Sequence, residues 1–307
     1  MNWPSRVRVV EVGPRDGLQN EAAVVPLETR LAFIDALVQA GLPVIEIGAF
    51  VRPDRVPQMA GSDDLARRLQ ARPGVTYAAL VPNRRGLQRA IAAGMHTVAV
   101  FTAASDAFAR ANIGMTVDES LRVFGDVAAE ALSAGVAVRG YVSTAWWCPY
   151  SGRVSPEAAR TVALELLGMG CADVSLADTI GAATPGEVRE LIERLLRDVP
   201  VDRLAVHFHD TRGIALANVL AALDLGISTV DASAGGFGGC PFAPGALGNL
   251  ATEDLLYMLH GMGIETGVDL EKVGTASRLL EGALGRRAPS RYLQAGPVRP
   301  TGASRTS

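Results

Sequence analysis

The sequence predicts a (β/α)8 barrel. Short apolar or β-branched runs alternate with longer helical patterns, and there are eight such pairs. They fill about 260 residues, the size at which eight parallel strands close on themselves. The chain has 307 residues with 49% hydrophobic content, enough for one large domain or two small ones, and no linker interrupts it before roughly residue 285. One domain over residues 1–284, with a short C-terminal helical extension, is therefore expected. The stretch 285–307, rich in Arg, Pro, Ser and Gly, is expected to be a flexible tail. A doubly wound open sheet is the alternative. It usually carries a glycine-rich phosphate loop after its first strand, and Arg15-Asp16-Gly17 is not one.

The expected strands are Val7–Val12, Val44–Ile47, Thr76–Leu80, Thr97–Phe101, Val136–Tyr141, Asp173–Leu176, Leu204–Phe208 and Thr229–Ser233. The expected helices are Leu27–Ala40, Asp63–Gln70, Arg84–Ala93, Val117–Ala134, Pro156–Met169, Pro185–Asp198, Ile214–Leu225 and Leu247–Leu259. Leu31, Ile34, Leu37 and Val38 show the three-and-four spacing of a helix with one buried face. Ser155-Pro156 and Thr184-Pro185 set a capping hydroxyl before a first-turn proline. Gly41 and Gly226 fall where helices should stop.

Composition narrows the function classes. A net charge of −3 gives no general attraction for nucleic acid or membranes. No apolar run is long enough to span a bilayer. Three cysteines do not make a disulfide framework, and the N-terminus lacks a charged-then-apolar signal pattern, so a cytoplasmic protein is expected. The chain has a single lysine, Lys272, flanked by Glu271 and Val273 near its end. A Schiff-base enzyme needs a buried, desolvated lysine, which arginine cannot replace. Carbon–carbon bond chemistry here would need another electron sink, most simply a metal.

A barrel places its chemistry at the C-terminal ends of its strands. Polar residues collect there. Asp16 follows the first strand, Glu46 ends the second, Asp178 follows the sixth, and His207 and His209 end the seventh. Alternate strand residues face the same way, so the two imidazoles of His207-Phe208-His209 can point at one divalent metal. Asp16 offers a carboxylate to the same ion, and Arg15 a cation for developing negative charge. Asn249, expected to open the last barrel helix, can add an amide oxygen; helix capping is its alternative. This mostly neutral set suits Mg²⁺ or Mn²⁺ and is compatible with zinc. Cys240, between Gly239 and Pro241 in a glycine-rich loop, reads as a reactive thiol. Cys148, beside Trp146 and Trp147, reads as packing.

These motifs resemble the 3-hydroxy-3-methylglutaryl-CoA lyase family, within the metallolyase group of TIM barrels. The resemblance covers roughly residues 5 to 284. It is carried by Val10-Glu11-Val12-Gly13-Pro14-Arg15-Asp16-Gly17-Leu18-Gln19-Asn20-Glu21, Val56-Pro57-Gln58-Met59, Asp178-Thr179-Ile180-Gly181, His207-Phe208-His209-Asp210-Thr211, Gly238-Gly239-Cys240-Pro241 and Gly248-Asn249-Leu250-Ala251-Thr252-Glu253-Asp254. It implies Asp16, His207, His209 and Asn249 as metal ligands and Arg15 as the group that holds an enolate. It implies Cys240 in proton transfer, Glu46 and Asp178 as catalytic residues that organise the site and assist proton movement, His207 as catalytic as well as a ligand, and Gln19 and Ser175 as substrate contacts. Arg110 and Asn112 stand where relatives contact coenzyme A; a solvated arginine is the alternative for Arg110. The implied partner is an acyl-CoA, cleaved to acetyl-CoA and acetoacetate, and the implied assembly is a homodimer or a larger homo-oligomer. Three departures stand out. Ala49 replaces a serine, Arg212 a tyrosine, and Trp146 and Trp147 replace small or aliphatic residues. The indoles are expected to reshape the acyl pocket, with a related 3-hydroxy-3-alkylglutaryl-CoA or another β-hydroxyacyl-CoA as the rival substrate.

Overall fold

The structure, a computed structural model, describes residues 3–239 and 248–296. Eight parallel strands close into a barrel: β1 (Arg8–Glu11), β2 (Val44–Ala49), β3 (Thr76–Leu80), β4 (Thr97–Ala103), β5 (Ala137–Ser143), β6 (Val174–Asp178), β7 (Leu204–Phe208) and β8 (Thr229–Ala232). β1 pairs with both β2 and β8, which completes the ring. All eight strands coincide with the expected runs to within two residues at either end. The surrounding helices are α1 (Leu27–Gln39), α2 (Ser62–Arg68), α3 (Arg84–Ala92), α4 (Asp106–Ile113), α5 (Val117–Ser133), α6 (Pro156–Gly168), α7 (Pro185–Leu195), α8 (Ala215–Leu223), α9 (Thr252–Gly261), α10 (Leu270–Leu284) and α11 (Arg291–Ala295). Among the described residues, no helix is long and apolar enough to cross a membrane.

The apolar core lies between strands and helices. Ile34 and Leu37 of α1 are fully buried, as their spacing predicts, Leu31 and Val38 are half-buried, and Phe33 joins them in the core. The barrel interior is different. Glu46, Arg139, Tyr141, Ser175, His207 and Asp231 all point inward and are buried. A buried charge is tolerable only when paired, and these residues pair with one another.

Two elements differ from expectation. α4 interrupts the stretch after β4, where no helix was expected; Ser105 caps it and Gly114 ends it in a left-handed conformation. The last barrel helix starts at Thr252, not at Leu247, which lies outside the described residues. Asn249 instead forms an antiparallel bridge with His209, and Ala251 a parallel bridge with Ser233. Asn249 therefore neither opens nor caps a helix. Beyond residue 284, the chain continues into contact with the barrel. Ser290 donates its backbone N–H to Gly235 O, and its hydroxyl to Asp254 on α9. Arg286 pairs with Glu21 and lies over the Phe237 ring.

Candidate metal centre and active site

β1 ends in a tight π-helical turn, Gly13–Gly17, in which the backbone N–H groups of Arg15, Asp16 and Gly17 all donate to Val12 O. This turn presents Arg15 and Asp16 at the mouth of the barrel. Gly17 is required there because a Cβ would lie 2.8 Å from Ser233 Oγ. His207 sits on β7, and His209 just beyond it, with ring centroids 5.2 Å apart. Asp16 Oδ2 is 3.9 Å from His207 Nε2 and 4.0 Å from His209 Nε2.

These three side chains form a group able to hold a metal ion. Two ligand bonds of roughly 2.1 Å span up to about 4.2 Å between donor atoms, so the spacings fall within reach of a shared ion. Asn249 completes the case. Its Nδ2 donates to Phe237 O, while its Oδ1 is buried without a hydrogen-bond partner among the described residues. A buried orphan acceptor is costly unless something is meant to meet it. Protonation states also suit a cation. Burial raises the Asp16 carboxyl, but Arg15 and the two imidazoles outweigh it and hold it at about 2. Burial, with His207 and Arg15 nearby, lowers His209 to about 4, which leaves its ring neutral at pH 7.

Arg15 is fixed by two carboxylates. It donates Nε to Glu46 and Nη1 to Asp16. Glu46 in turn accepts from the Tyr141 hydroxyl at 2.8 Å. Burial opposes the charge on Arg15, yet Glu46 and Asp16 raise its pKa above the ordinary value. Beneath the turns lie two further carboxyls. Glu11 accepts from Gly13 N, Ala234 N and Thr252 Oγ1; Glu253 accepts from Gly235 N and Ser277 Oγ. Glu11 ties the turn after β1 to the turn after β8, and Glu253 ties the turn after β8 to α10. Burial pushes Glu11 up to about 8 and Glu253 to about 7.

A cavity of about 1130 Å³ opens over this floor. Arg15, Asp16, Gln19, Tyr141, His207 and His209 line its deep end, and Arg52, Arg55, Arg85 and Asn112 are among its other lining residues. A model of the HMGL-like family matches residues 6–280. The chain belongs to the HMGL-like family. It is 53% identical over 285 residues to the hydroxymethylglutaryl-CoA lyase of Pseudomonas mevalonii, covering 93% of this chain and 95% of that one. It is 52% identical over 292 residues to the cytoplasmic 3-hydroxy-3-methylglutaryl-CoA lyase of Danio rerio, covering 95% and 87%. Its structure is similar to that of an HMG-CoA lyase from Acinetobacter baumannii in complex with coenzyme A and 3-methylmalate. There the TM-score is 0.92 at 36% identity, with 99% of each chain covered.

Other expected residues of this HMGL-like chain sit elsewhere. Ser175 does not line the cavity; it is fully buried and donates to Asp231 at 2.8 Å. Asp178 is also buried, and its carboxylate accepts from Ala182 N and Ala183 N, shaping the turn after β6. Arg110 is exposed on α4 and outside the lining, whereas Asn112 is within it. Ala49 is buried off the lining, next to Phe50, which is on it. Both indoles face α7 rather than the cavity, donating to the Glu187 carbonyl and carboxylate. Arg212 ties down the Ile180 and Gly181 carbonyls. The departures expected to reshape the acyl pocket therefore lie outside its wall. Cys148 packs in a small hairpin, where Sγ accepts from Ser105 Oγ and from the backbone of Tyr150 and Ser151. Cys240 lies outside the described residues.

Sequence reasoning missed Tyr141, Arg139, Asp231, Glu11 and Glu253 as parts of this HMGL-like site. One signal was available. Arg139 and Tyr141 stand two apart on a strand, so both face inward with the alternation that exposed the histidine pair. Asp231 is likewise a charge inside a strand buried throughout.

Proposed function

We propose that the protein is a divalent-metal-dependent lyase that cleaves (S)-3-hydroxy-3-methylglutaryl-CoA to acetyl-CoA and acetoacetate. The observation that carries this is the convergence of Asp16, His207 and His209 beside Arg15 on one cavity floor, with Asn249 bridged to His209 through the backbone. The four would hold Mg²⁺ or Mn²⁺, with zinc compatible, and the ion would supply positive charge that favours transfer of the substrate's hydroxyl proton to solvent water in the open cavity. The C2–C3 bond then breaks and its electrons pass to the thioester, forming an enolate. Arg15 holds that oxygen, kept in place by Glu46 and Asp16. A proton returned to C2 completes acetyl-CoA. Cys240 is its proposed donor, on the resemblance of its motif alone. Gln19 is the proposed contact to the acyl portion. Asp178 acts through the turn that it shapes, and Ser175 through Asp231.

The phosphates of coenzyme A would meet Arg52, Arg55 and Arg85 at the cavity wall rather than Arg110. A homo-oligomer is proposed with the family, to be checked by light scattering. A cytoplasmic location is proposed from relatives named as such, to be checked by fractionation. The deciding experiment measures acetoacetate release from HMG-CoA by EDTA-treated protein, with and without Mg²⁺ or Mn²⁺. Release that requires metal and is abolished in Asp16→Ala is expected. Metal-independent release, or none in the presence of either metal, would overturn the proposal.

A further inference from the structure

Asp231 lies on β8 directly opposite His207 on β7, and is 1% exposed. Its carboxylate is held from two directions that do not involve the histidine. Arg139 Nη2 reaches across the barrel interior from β5 to Oδ1 at 2.7 Å. Ser175 Oγ on β6 donates to Oδ2 at 2.8 Å. That same Oδ2 stands 3.5 Å from His207 Nδ1, a buried nitrogen with no hydrogen-bond partner among the described residues. The other ring nitrogen, Nε2, points to Asp16 and the cavity.

Each position has a chemical consequence. A carboxylate paired with a guanidinium is ionised and can only accept. It therefore favours the imidazole tautomer that carries its proton on Nδ1. Nε2 is then left with a lone pair facing Asp16 and His209, which is the form a metal requires. We propose that Asp231 is the positioning residue that sets the tautomer and ring orientation of His207, with Arg139 and Ser175 as its anchors. This inference rests on the metal centre proposed above. It assigns work to three buried polar residues that do not line the cavity.

The test is Asp231→Asn. The amide must turn its oxygen to Arg139, so its NH₂ faces Ser175 and His207 Nδ1. A donor there selects the opposite tautomer, protonated on Nε2. Two readouts follow, neither of them activity. Imidazole ¹⁵N NMR of the metal-free protein should show His207 protonated on Nδ1 in the wild type and on Nε2 in the variant, with His209 unchanged. Mn²⁺ titration followed by EPR should show affinity weakened by about 10–100-fold, the usual loss when a ligand's outer partner is changed. A folded variant with unaltered tautomer and unaltered Mn²⁺ affinity would overturn the proposal. If the wild type binds no Mn²⁺, the metal centre falls, and the NMR comparison still decides whether Asp231 sets the tautomer. Should Asp231→Asn not fold, Ser175→Ala carries the test. It removes one anchor, and the expected result is a tautomer mixture with affinity weakened by less than about tenfold. A pure Nδ1–H ring with unchanged affinity would count against the proposal.

Discussion

Arg15 is positioned by its neighbours as much as by its backbone. Glu46 and Asp16 each take one side of the guanidinium, and Tyr141 closes the far side of Glu46. A lysine keeps the charge but offers no planar fork. Arg15→Lys should therefore fold normally, bind Mn²⁺ with near-native affinity and lose on the order of 100-fold or more in kcat, the usual cost of a misplaced oxyanion donor. Steady-state kinetics beside a Mn²⁺ titration checks both halves. Asp178 gives a prediction in pH. Burial raises its carboxyl from 3.8 to about 6, although two backbone N–H groups pull the other way. A folded pKa above the unfolded one means that the folded state binds the proton more tightly. Its stabilising effect is complete below pH 3.8 and is lost as pH rises to about 6, at most ~3 kcal/mol. Asp178→Asn cannot titrate. The stability difference between wild type and variant should move in the variant's favour from pH 4 to pH 6 and then level off. Denaturant melts across that range would show it, and a flat difference would count against a raised Asp178. At this scale the sequence revealed residues whose chemistry shows in a motif. Asp16 and the histidine pair announce themselves by strand alternation. Asp231 and Glu11 do not, because a single acid in an apolar strand acquires meaning only from an arginine or an amide brought beside it from far along the chain.

At the scale of elements, the site depends on how closely two turns approach. Gly248 packs its Cα against the stem Gly236–Gly238, and a Cβ there would fall 1.5 Å from Gly238 O. No side chain fits without moving backbone. Either the stem shifts or Asn249 leaves its bridge with His209. Gly248→Ala should thus destabilise by about 2 kcal/mol or more and weaken Mn²⁺ binding by at least about tenfold through the displaced ligand. Gly186, in the first turn of α7, has open space around it and is the control. Gly186→Ala should be neutral or stabilising by up to about 1 kcal/mol. Thermal melts and Mn²⁺ titrations of both variants decide the matter. The barrel's strands were legible because each is a short apolar run buried on both faces. α4 was not, because its eight residues, Asp106–Ile113, have too few turns to establish a period and lie against α5. The start of α9 was misplaced for another reason. The run before it is apolar enough for a helix, and only pairing with His209 and Ser233 extends it.

Over the whole molecule, two kinds of interior coexist: an apolar shell between strands and helices, and an ionic column inside the barrel running from Asp173 and Arg139 to Asp231 and His207. The shell could be read from composition and periodicity. The column could not, since its members are scattered from Arg139 to Asp231 and meet only when the ring closes. The place of that closure matters. Asp16 follows β1, the histidines belong to β7 and its end, and Asn249 returns beside β8, while β1 and β8 form the seam that joins the two ends of the barrel. The proposed ion is therefore a rivet across that seam. The full set of four proposed ligands is complete only when the segment around residue 249 has joined a closed ring. Once seated, the ion should resist the seam's parting more than it hastens ring formation, because the docking of first strand to last has the longest loop to close. Saturating Mn²⁺ is accordingly expected to slow unfolding in stopped-flow denaturant jumps while leaving refolding rates nearly unchanged. In Asp16→Ala, both rates should be indifferent to the ion.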